Sequence, residues 1–516
     1  MYIRNSFLVI SLLVVVNHVS AQLVQLDTSF NHTGKLFTNI AGVVSSSIAQ
    51  PDGKILIGGS GKVNQVSRNA ICRLMNDGSF DISFGTNGIL YDSFYHSQHD
   101  QINSLLLQPD GKIIAIGRSD SFINFNISVA RYLANGTIDN SFGTNGKILL
   151  PQTIYGSSVA AALQLDGKII LAGSNAGFCL IRLLSNGIID SSFGNYGVVV
   201  SHLGTANYGG GEAIVIQPDG KIIVGGKSYH NTFYWAALGR YNSNGTLDNT
   251  FGTNGIVEIS VRGYYDEINY LLLQPDGKII ATGNSTINSS GSSSASTAYL
   301  IMRLDSVGNL DNSFNSNGKL VKALGNRDDK CFKAILQSDG KIIIGGYTTN
   351  ANINLDFAMY RATSSGADDI TFGGGGAVTG NFIFNSSNFN DRGQTICMQP
   401  NGKLVVAGYS ALSGAGSFAA MRFNNNYTTG VQLPLNILSH QLIIYPNPCH
   451  QSIAISQLSL MNATIKLINL TGQTLIEKQN QSGSYFNLDI SEQTNGIYFL
   501  EIKENANVWC VKVVKE

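Results

Sequence analysis

The segment Gln108-Pro109-Asp110-Gly111-Lys112-Ile113-Ile114-Ala115-Ile116 decides the fold, because the chain states this phrase seven times with little change. Its glycine recurs at Gly53, Gly111, Gly167, Gly220, Gly277, Gly340 and Gly402, a period of 53 to 63 residues. A period of that size marks a repeat architecture, in which one supersecondary unit is stacked many times. Within the phrase, Pro presets φ, Asp favours the next turn position, and Gly accepts the positive φ that closes a three-residue hairpin loop. Ile102–Leu107 before the turn and Lys112–Ile116 after it read as antiparallel strands. The second is an almost unbroken aliphatic run, which suits a strand covered on both faces.

Working outward, a second glycine stands six residues past every turn glycine: Gly59, Gly117, Gly173, Gly226, Gly283, Gly346 and Gly408. A side chain is excluded there in every unit, which predicts close backbone approach. A third strand carries Arg73, Arg131, Arg182, Arg240, Arg303, Arg361 and Arg422. From the first six, a Phe follows eleven residues later (Phe84, Phe142, Phe193, Phe251, Phe314, Phe372) inside an Asp-x-[Ser/Thr]-Phe phrase. That fixed spacing predicts a hairpin of constant geometry and a fourth strand. The fold class is therefore all-β, and four short antiparallel strands per unit make the blade of a β-propeller. The seven Arg could form a ring for anionic ligands, but a buried Arg needs a partner, and an Asp of its own or the next blade is the expected one, since both recur in every unit.

The ends settle the ring. Arg422 has Leu433 eleven residues later, whereas an orphan phrase, Asp27-Thr28-Ser29-Phe30, stands near the N-terminus with no Arg-bearing strand before it. The N-terminal piece is the missing part of the last unit. Seven blades closed by N-/C-terminal strand exchange, over about 22–426, follow; such closure also removes sheet edges. These phrases resemble the delta-60 repeat family, which implies a β-propeller and no particular activity. Leu165 and Ser338 replace the Pro of the phrase, Asn401 its Asp, and Asn315 the Gly after Phe.

Residues 1–21 have the form of a signal peptide: Arg4, an apolar core over Phe7–Val16, and Val19-Ser20-Ala21 before Gln22. No transmembrane segment is expected, since no apolar run reaches the length of a membrane span. With zero formal net charge, 13% charged residues and no basic run, the chain is not expected to bind nucleic acid. The six cysteines lack metal-ligand spacing; Cys449 and Cys510 share the last domain and could pair outside the cytoplasm.

A linker over 427–439 leads to a domain at 440–516 with five expected strands: Gln451–Ser456, Thr464–Asn469, Tyr485–Ile490, Ile497–Lys503 and Val508–Val514. Short strands with Gly and Asn turns suggest a small Ig-like β-sandwich. Tyr445-Pro446-Asn447-Pro448, a Leu-Thr-Gly-Gln turn around Gly472, and Gly496-Ile497-Tyr498 occur in that order. Together they resemble the type A sorting domain of the type IX secretion system. The resemblance implies the secretion machinery as partner, and a protein that is extracellular or displayed on the outer cell surface.

For chemistry, four units carry Asp eleven residues before the turn glycine: Asp100, Asp266, Asp329 and Asp391, where the others have Gly42, Gly156 and Gly209. A ring would set these carboxylates at one level, and oxygen-rich sites suit Ca²⁺ or a cationic ligand; otherwise they cap turn amides facing solvent. Tyr229, His230, Phe233, Tyr234 and Trp235 crowd one connection and Tyr264 and Tyr265 the next, as sugar-stacking rings would. No histidine recurs in register, no nucleophile elbow, zinc motif or P-loop occurs, and Asp100 with His96 and His99 is the nearest titratable cluster. The reading is a non-catalytic binding or adhesion module for an extracellular glycan, protein or matrix ligand. The alternative is a polysaccharide hydrolase or lyase with carboxylates in the central funnel.

Overall fold

A computed structural model describes residues 24–94, 99–120, 125–150, 155–205, 209–287, 296–325, 327–384, 387–388, 390–411, 416–425, 443–445, 449, 451–469, 473–504 and 507–515. The signal segment, the linker, His96, Pro446, Asn447, Pro448 and Gly472 lie outside these residues.

Each repeat is a four-stranded antiparallel meander. The fourth blade is typical: Gly209–Ile216, Ile222–His230, Phe233–Tyr241 and Ile256–Ile259 pair in that order. The innermost strands touch one another in sequence around a closed ring of seven, the last returning to the first. All seven Q-P-D-G-K turn glycines have φ between +80° and +85°, the conformation that closes this turn.

The unbroken aliphatic second strands are buried on both sides. Ile170 and Ala172 of the third blade, with Phe178 and Leu180, share one core with Ile222, Val224, Ala237 and Tyr241 of the fourth. The core is thus a series of slabs between blades, and no single blade could bury its own faces.

Closure is as the orphan phrase implied. Lys35–Ala49 is one long strand with two duties. Lys35–Phe37 pairs with Ala419–Met421 as the outer strand of the seventh blade, and Gly42–Ala49 pairs with Ile55–Gly61 as the inner strand of the first. Gln25–Leu26 adds to the same outer edge of the seventh blade.

The repeated polar residues rivet the blades. Arg73, Arg131, Arg182, Arg240 and Arg303 each donate from Nε to the phrase Asp eight residues on at 2.8 Å, and Arg361 does so at 2.7 Å. Arg422 finds Asp27 at 2.7 Å, across the closure. The turn lysine reaches the same carboxylates, as Lys221 does to Asp248 at 3.1 Å and Lys403 to Asp27 at 2.6 Å. Every Arg also lies over its Phe, Arg422 over Phe30 at 4.8 Å. Arg131 Nη1 donates to the Ser185 carbonyl oxygen of the next blade at 2.7 Å. The two phrases were therefore two halves of one interaction.

The second glycines mark β-bulges. Each inner strand that is described in full carries one extra residue opposite this glycine, between Gly211 and Ala213 in the fourth blade and between Ile268 and Tyr270 in the fifth. A Cβ on Gly283 would stand 1.9 Å from the Glu267 carbonyl oxygen, and one on Gly226 1.8 Å from that of Gly210.

The C-terminal unit is one five-stranded antiparallel sheet folded on itself. Two expected strands are a single strand, Ser452–Asn469, which pairs with Thr474–Asp489 and then with Gly496–Glu504. Register shifts between Ser456 and Ala463 let it bend, so that Ile453, Ile465, Leu488, Leu500 and Val513 share a core in a small sandwich. Tyr498 is buried in it, its hydroxyl donating to the Thr494 carbonyl oxygen at 2.5 Å; Gly496 opens the strand that carries it. The Cys449–Cys510 pairing does not fit this register. Cys449 bridges Lys515, its thiol donates to the Val514 carbonyl oxygen at 3.2 Å, and Cys510 lies five residues along the strand. That is about 16 Å beyond Lys515, too far for a disulfide.

Candidate functional site

Alternation of the meander sorts the loops onto two faces. The Q-P-D-G-K turns and the Asp-x-[Ser/Thr]-Phe hairpins lie on one, which is therefore nearly the same in all blades. The connections between second and third strands, and between blades, lie on the other, where length and content vary. Candidate ligand residues fall on this variable face.

The four aspartates cap the loops that enter their own blades. Each is fully buried at the start of an inner strand, contrary to the solvent-facing alternative. Asp266 accepts the Val261 amide at 2.8 Å and the Ser285 hydroxyl at 2.6 Å; Asp329 accepts the Leu324 amide at 2.7 Å and the Thr348 hydroxyl at 2.5 Å. Asp391 accepts the Phe382 amide at 2.6 Å, and Asp100 lies 3.6 Å from an Arg68 nitrogen. Each carboxylate ties the incoming loop to its own blade. Among the described residues no three His, Cys, Asp or Glu side chains gather as metal ligands. Glycine at the equivalent position is a different solution: Gly42 and Gly209 enter with φ of +158° and +156°. Burial pushes Asp391 up to about 6.

The seven aromatic candidates fall on both faces of the fourth blade's hairpin: Tyr229 and Tyr234 lie on the face toward the fifth blade, with Tyr264 and Tyr265, whereas alternation puts His230 and Trp235 on the face toward the third. The Ile222–His230 and Phe233–Tyr241 hairpin is tight, and the Tyr234 amide donates to the Tyr264 carbonyl oxygen at 3.0 Å, stitching hairpin to loop. His230 stacks on Trp235 with centroids 4.0 Å apart, Tyr234 packs between Tyr229 and Tyr265 at 5.1 Å from each, and Phe233 meets Tyr264 edge-on at 5.2 Å. Phe233 and Tyr264 remain 38% and 37% exposed, an open hydrophobic rim. His230 Nε2 lies 3.2 Å from Glu258 Oε1.

Beside these rings runs a charge network that the sequence reading missed. Lys227 Nζ lies 2.8 Å from Glu212 Oε1, 2.9 Å from Glu267 Oε2 and 2.7 Å from the Tyr265 hydroxyl. Tyr265 donates to Glu267 Oε2 at 2.8 Å, and Lys330 of the sixth blade lies 3.8 Å from Glu267 Oε1. Burial, with the charge of Glu267 beside it, pushes Glu212 up. Burial acts on Glu267 the same way, but Lys227 and Lys330 override it and hold that carboxyl down. Burial and the Glu267 charge push the Tyr265 phenol up, so it stays protonated at neutral pH. Glu212 is the bulge residue of its strand; the available signal was the lack of repetition at funnel-facing positions.

Two family models match the chain. The repeat described as "Domain of unknown function (DUF5122) beta-propeller" matches residues 50–84, 108–142, 164–193, 217–251, 274–314, 337–372 and 399–426. The "Secretion system C-terminal sorting domain" matches residues 443–516. Ring, closure and tail together define a β-propeller exported by type IX secretion to the cell surface or beyond. The chain belongs to the DUF5122 β-propeller family. A search of curated proteins returns no match. Similar solved structures include a Bacteroides caccae protein of unknown function (12% identity, TM-score 0.36, 61% of this chain and 92% of that one). Drosophila Semaphorin 2a is another (8%, 0.42, 93% and 97%), as is a PL25 ulvan lyase bound to -[GlcA(1-4)Rha3S]- (12%, 0.44, 75% and 95%). At these TM-scores nothing about activity follows from them.

Proposed function

We propose that this protein is a secreted, non-catalytic glycan-binding module whose site is the aromatic corner between the fourth and fifth blades. The observation that carries this reading is the gathering of Tyr229, Tyr234, Tyr264 and Tyr265 from two blades, with an exposed rim, beside fixed charges, while His230 and Trp235 stack on the other face of the same hairpin. Rings of this kind offer flat apolar faces to sugar C–H groups, and neighbouring polar groups orient the hydroxyls. The family sorting domain supports delivery to the surface, where polysaccharide is met.

The enzyme reading has one specific support: Glu212 and Glu267 are neighbouring carboxyls pushed in opposite directions, as an acid and a base would be. Lys227 weighs against it. Its ammonium stands between both carboxylates and the Tyr265 hydroxyl, where a reacting sugar oxygen would have to stand, and a protonated phenol is a poor base.

The test is incubation of the secreted protein with a panel of polysaccharides, with supernatants analysed for protein and for sugar fragments. Depletion of protein onto one polysaccharide without new fragments is expected. Release of oligosaccharides would overturn the non-catalytic reading.

A further inference from the structure

Arg392 occupies in the seventh blade the strand position that Glu267 holds in the fifth and Lys330 in the sixth. It is exposed at the funnel mouth. Its guanidinium carbon lies 5.9 Å from the ring centre of Tyr347 and 5.9 Å from that of Tyr409, whose hydroxyl accepts from Nη1 at 3.0 Å. Phe332 packs 6.0 Å from Tyr347. Lys227 and Lys330 each have a carboxylate beside them. Among the described residues none lies within ion-pair distance of Arg392. Cation and tyrosine alternate along this rim: Lys227 lies 5.1 Å and Lys330 5.8 Å from the Tyr265 ring, before Tyr347 and Arg392 follow.

We propose that Arg392, held between Tyr347 and Tyr409, is an anion subsite, and that the bound glycan is a polyanion lying along the mouth from the fourth blade to the seventh. The inference rests on the glycan-binding reading and names its ligand class. A guanidinium presents a planar fork that matches a carboxylate or a sulfate ester with two parallel hydrogen bonds. Its flanking tyrosine rings hold it in place and offer faces to the sugar. The unneutralised charge attracts the polyanion, so binding weakens as salt rises.

The secreted protein is titrated with a sulfated galactan, with a polyuronate and with a neutral β-glucan. At least one polyanion is expected to bind more tightly than the glucan, and the arm that does so identifies sulfate or carboxylate as the anion. Arg392→Gln is expected to weaken that polyanion by about tenfold or more, as loss of a charge-assisted contact does, leaving the thermal midpoint unchanged. Arg392→Lys should recover part of the loss, since charge returns without the fork. Equal polyanion affinity in parent and Arg392→Gln would overturn the subsite. So would glucan binding with both polyanions refused, which leaves the aromatic-corner reading standing. Refusal of all three overturns both.

Discussion

At Gly283 a single missing side chain makes room for the bulge on which the funnel is built. A methyl group there would meet the Glu267 carbonyl oxygen at 1.9 Å, with backbone on both sides and nothing flexible to yield. Gly283→Ala is therefore expected to destabilise the protein by about 1–3 kcal/mol or more, as overpacking does. Gly374→Ala, in open space with ordinary φ, is the control and should melt like the parent. Asp391 gives a second, pH-resolved expectation. Its folded value of about 6 exceeds the ordinary 3.8 because burial penalises the charge. An acid raised in this way holds its proton more tightly when folded, so stability falls as pH climbs from about 4 to about 6. Asp391→Asn cannot titrate, and its melting point should gain on the parent's between pH 4 and pH 7. A constant difference across that range would refute the assignment. The column of second glycines was legible in the sequence, but the bulge behind it was not. A bulge is a property of pairing between two strands, and neither strand states the partner's register.

The element that carries most is the N-terminal segment through Ala49. Asp27 supplies the carboxylate for Arg422, which is 2% exposed and would otherwise be a charge in the core. Asp27→Ala is expected to cost about 3–5 kcal/mol, the cost of leaving a buried ion unpaired. Removing 22–34 should cost more, because Gln25–Leu26 and the closing rivet leave together. Calorimetry and proteolysis at the seventh blade would measure both; a truncated protein melting like the parent would contradict strand-exchange closure. The rivets also set the acid limit. Against the opposing effect of burial, hydrogen bonds from Lys403 and Ser29 hold Asp27 at about 2, and Ser141 with Arg131 holds Asp139 at about 2. A carboxyl depressed when folded contributes stability above its unfolded value near 4 and loses it as pH falls toward 2. The ring is expected to melt cooperatively across that window, with ellipticity followed against pH. Closure was legible because an orphan phrase and an orphan Arg stood at opposite ends of the repeat array, each lacking what the other had.

For the whole molecule, repetition and variation divide by face. The repeated phrases build one face and the interior; the other face varies, and the candidate ligand residues collect there. Tyr229, Trp235 and Tyr264 were legible as candidates because they break the repeat. Glu212, Lys227, Glu267 and Lys330 were not: they come from three blades and meet only because the ring sets the inner strands side by side; Arg392 of the seventh blade was missed likewise. The four aspartates recur in register, and each carboxylate meets its own incoming loop, as the capping alternative expected, though buried rather than facing solvent. Export belongs to this scale as well. Deleting 443–516 should leave the propeller folded but hold it short of the cell surface, read by fractionation; normal surface delivery would contradict the tail's role.

The most direct measurement is tryptophan emission during polysaccharide titration. The chain has two tryptophans, Trp235 and Trp509, so a Trp509→Phe variant leaves Trp235, next to Tyr234 on the same hairpin and stacked on His230 over its other face, as the reporter. A saturable change in its emission, at the concentrations where the polysaccharide depletes the protein, is the expected result. Depletion with Trp235 emission unchanged would place binding elsewhere and contradict the site.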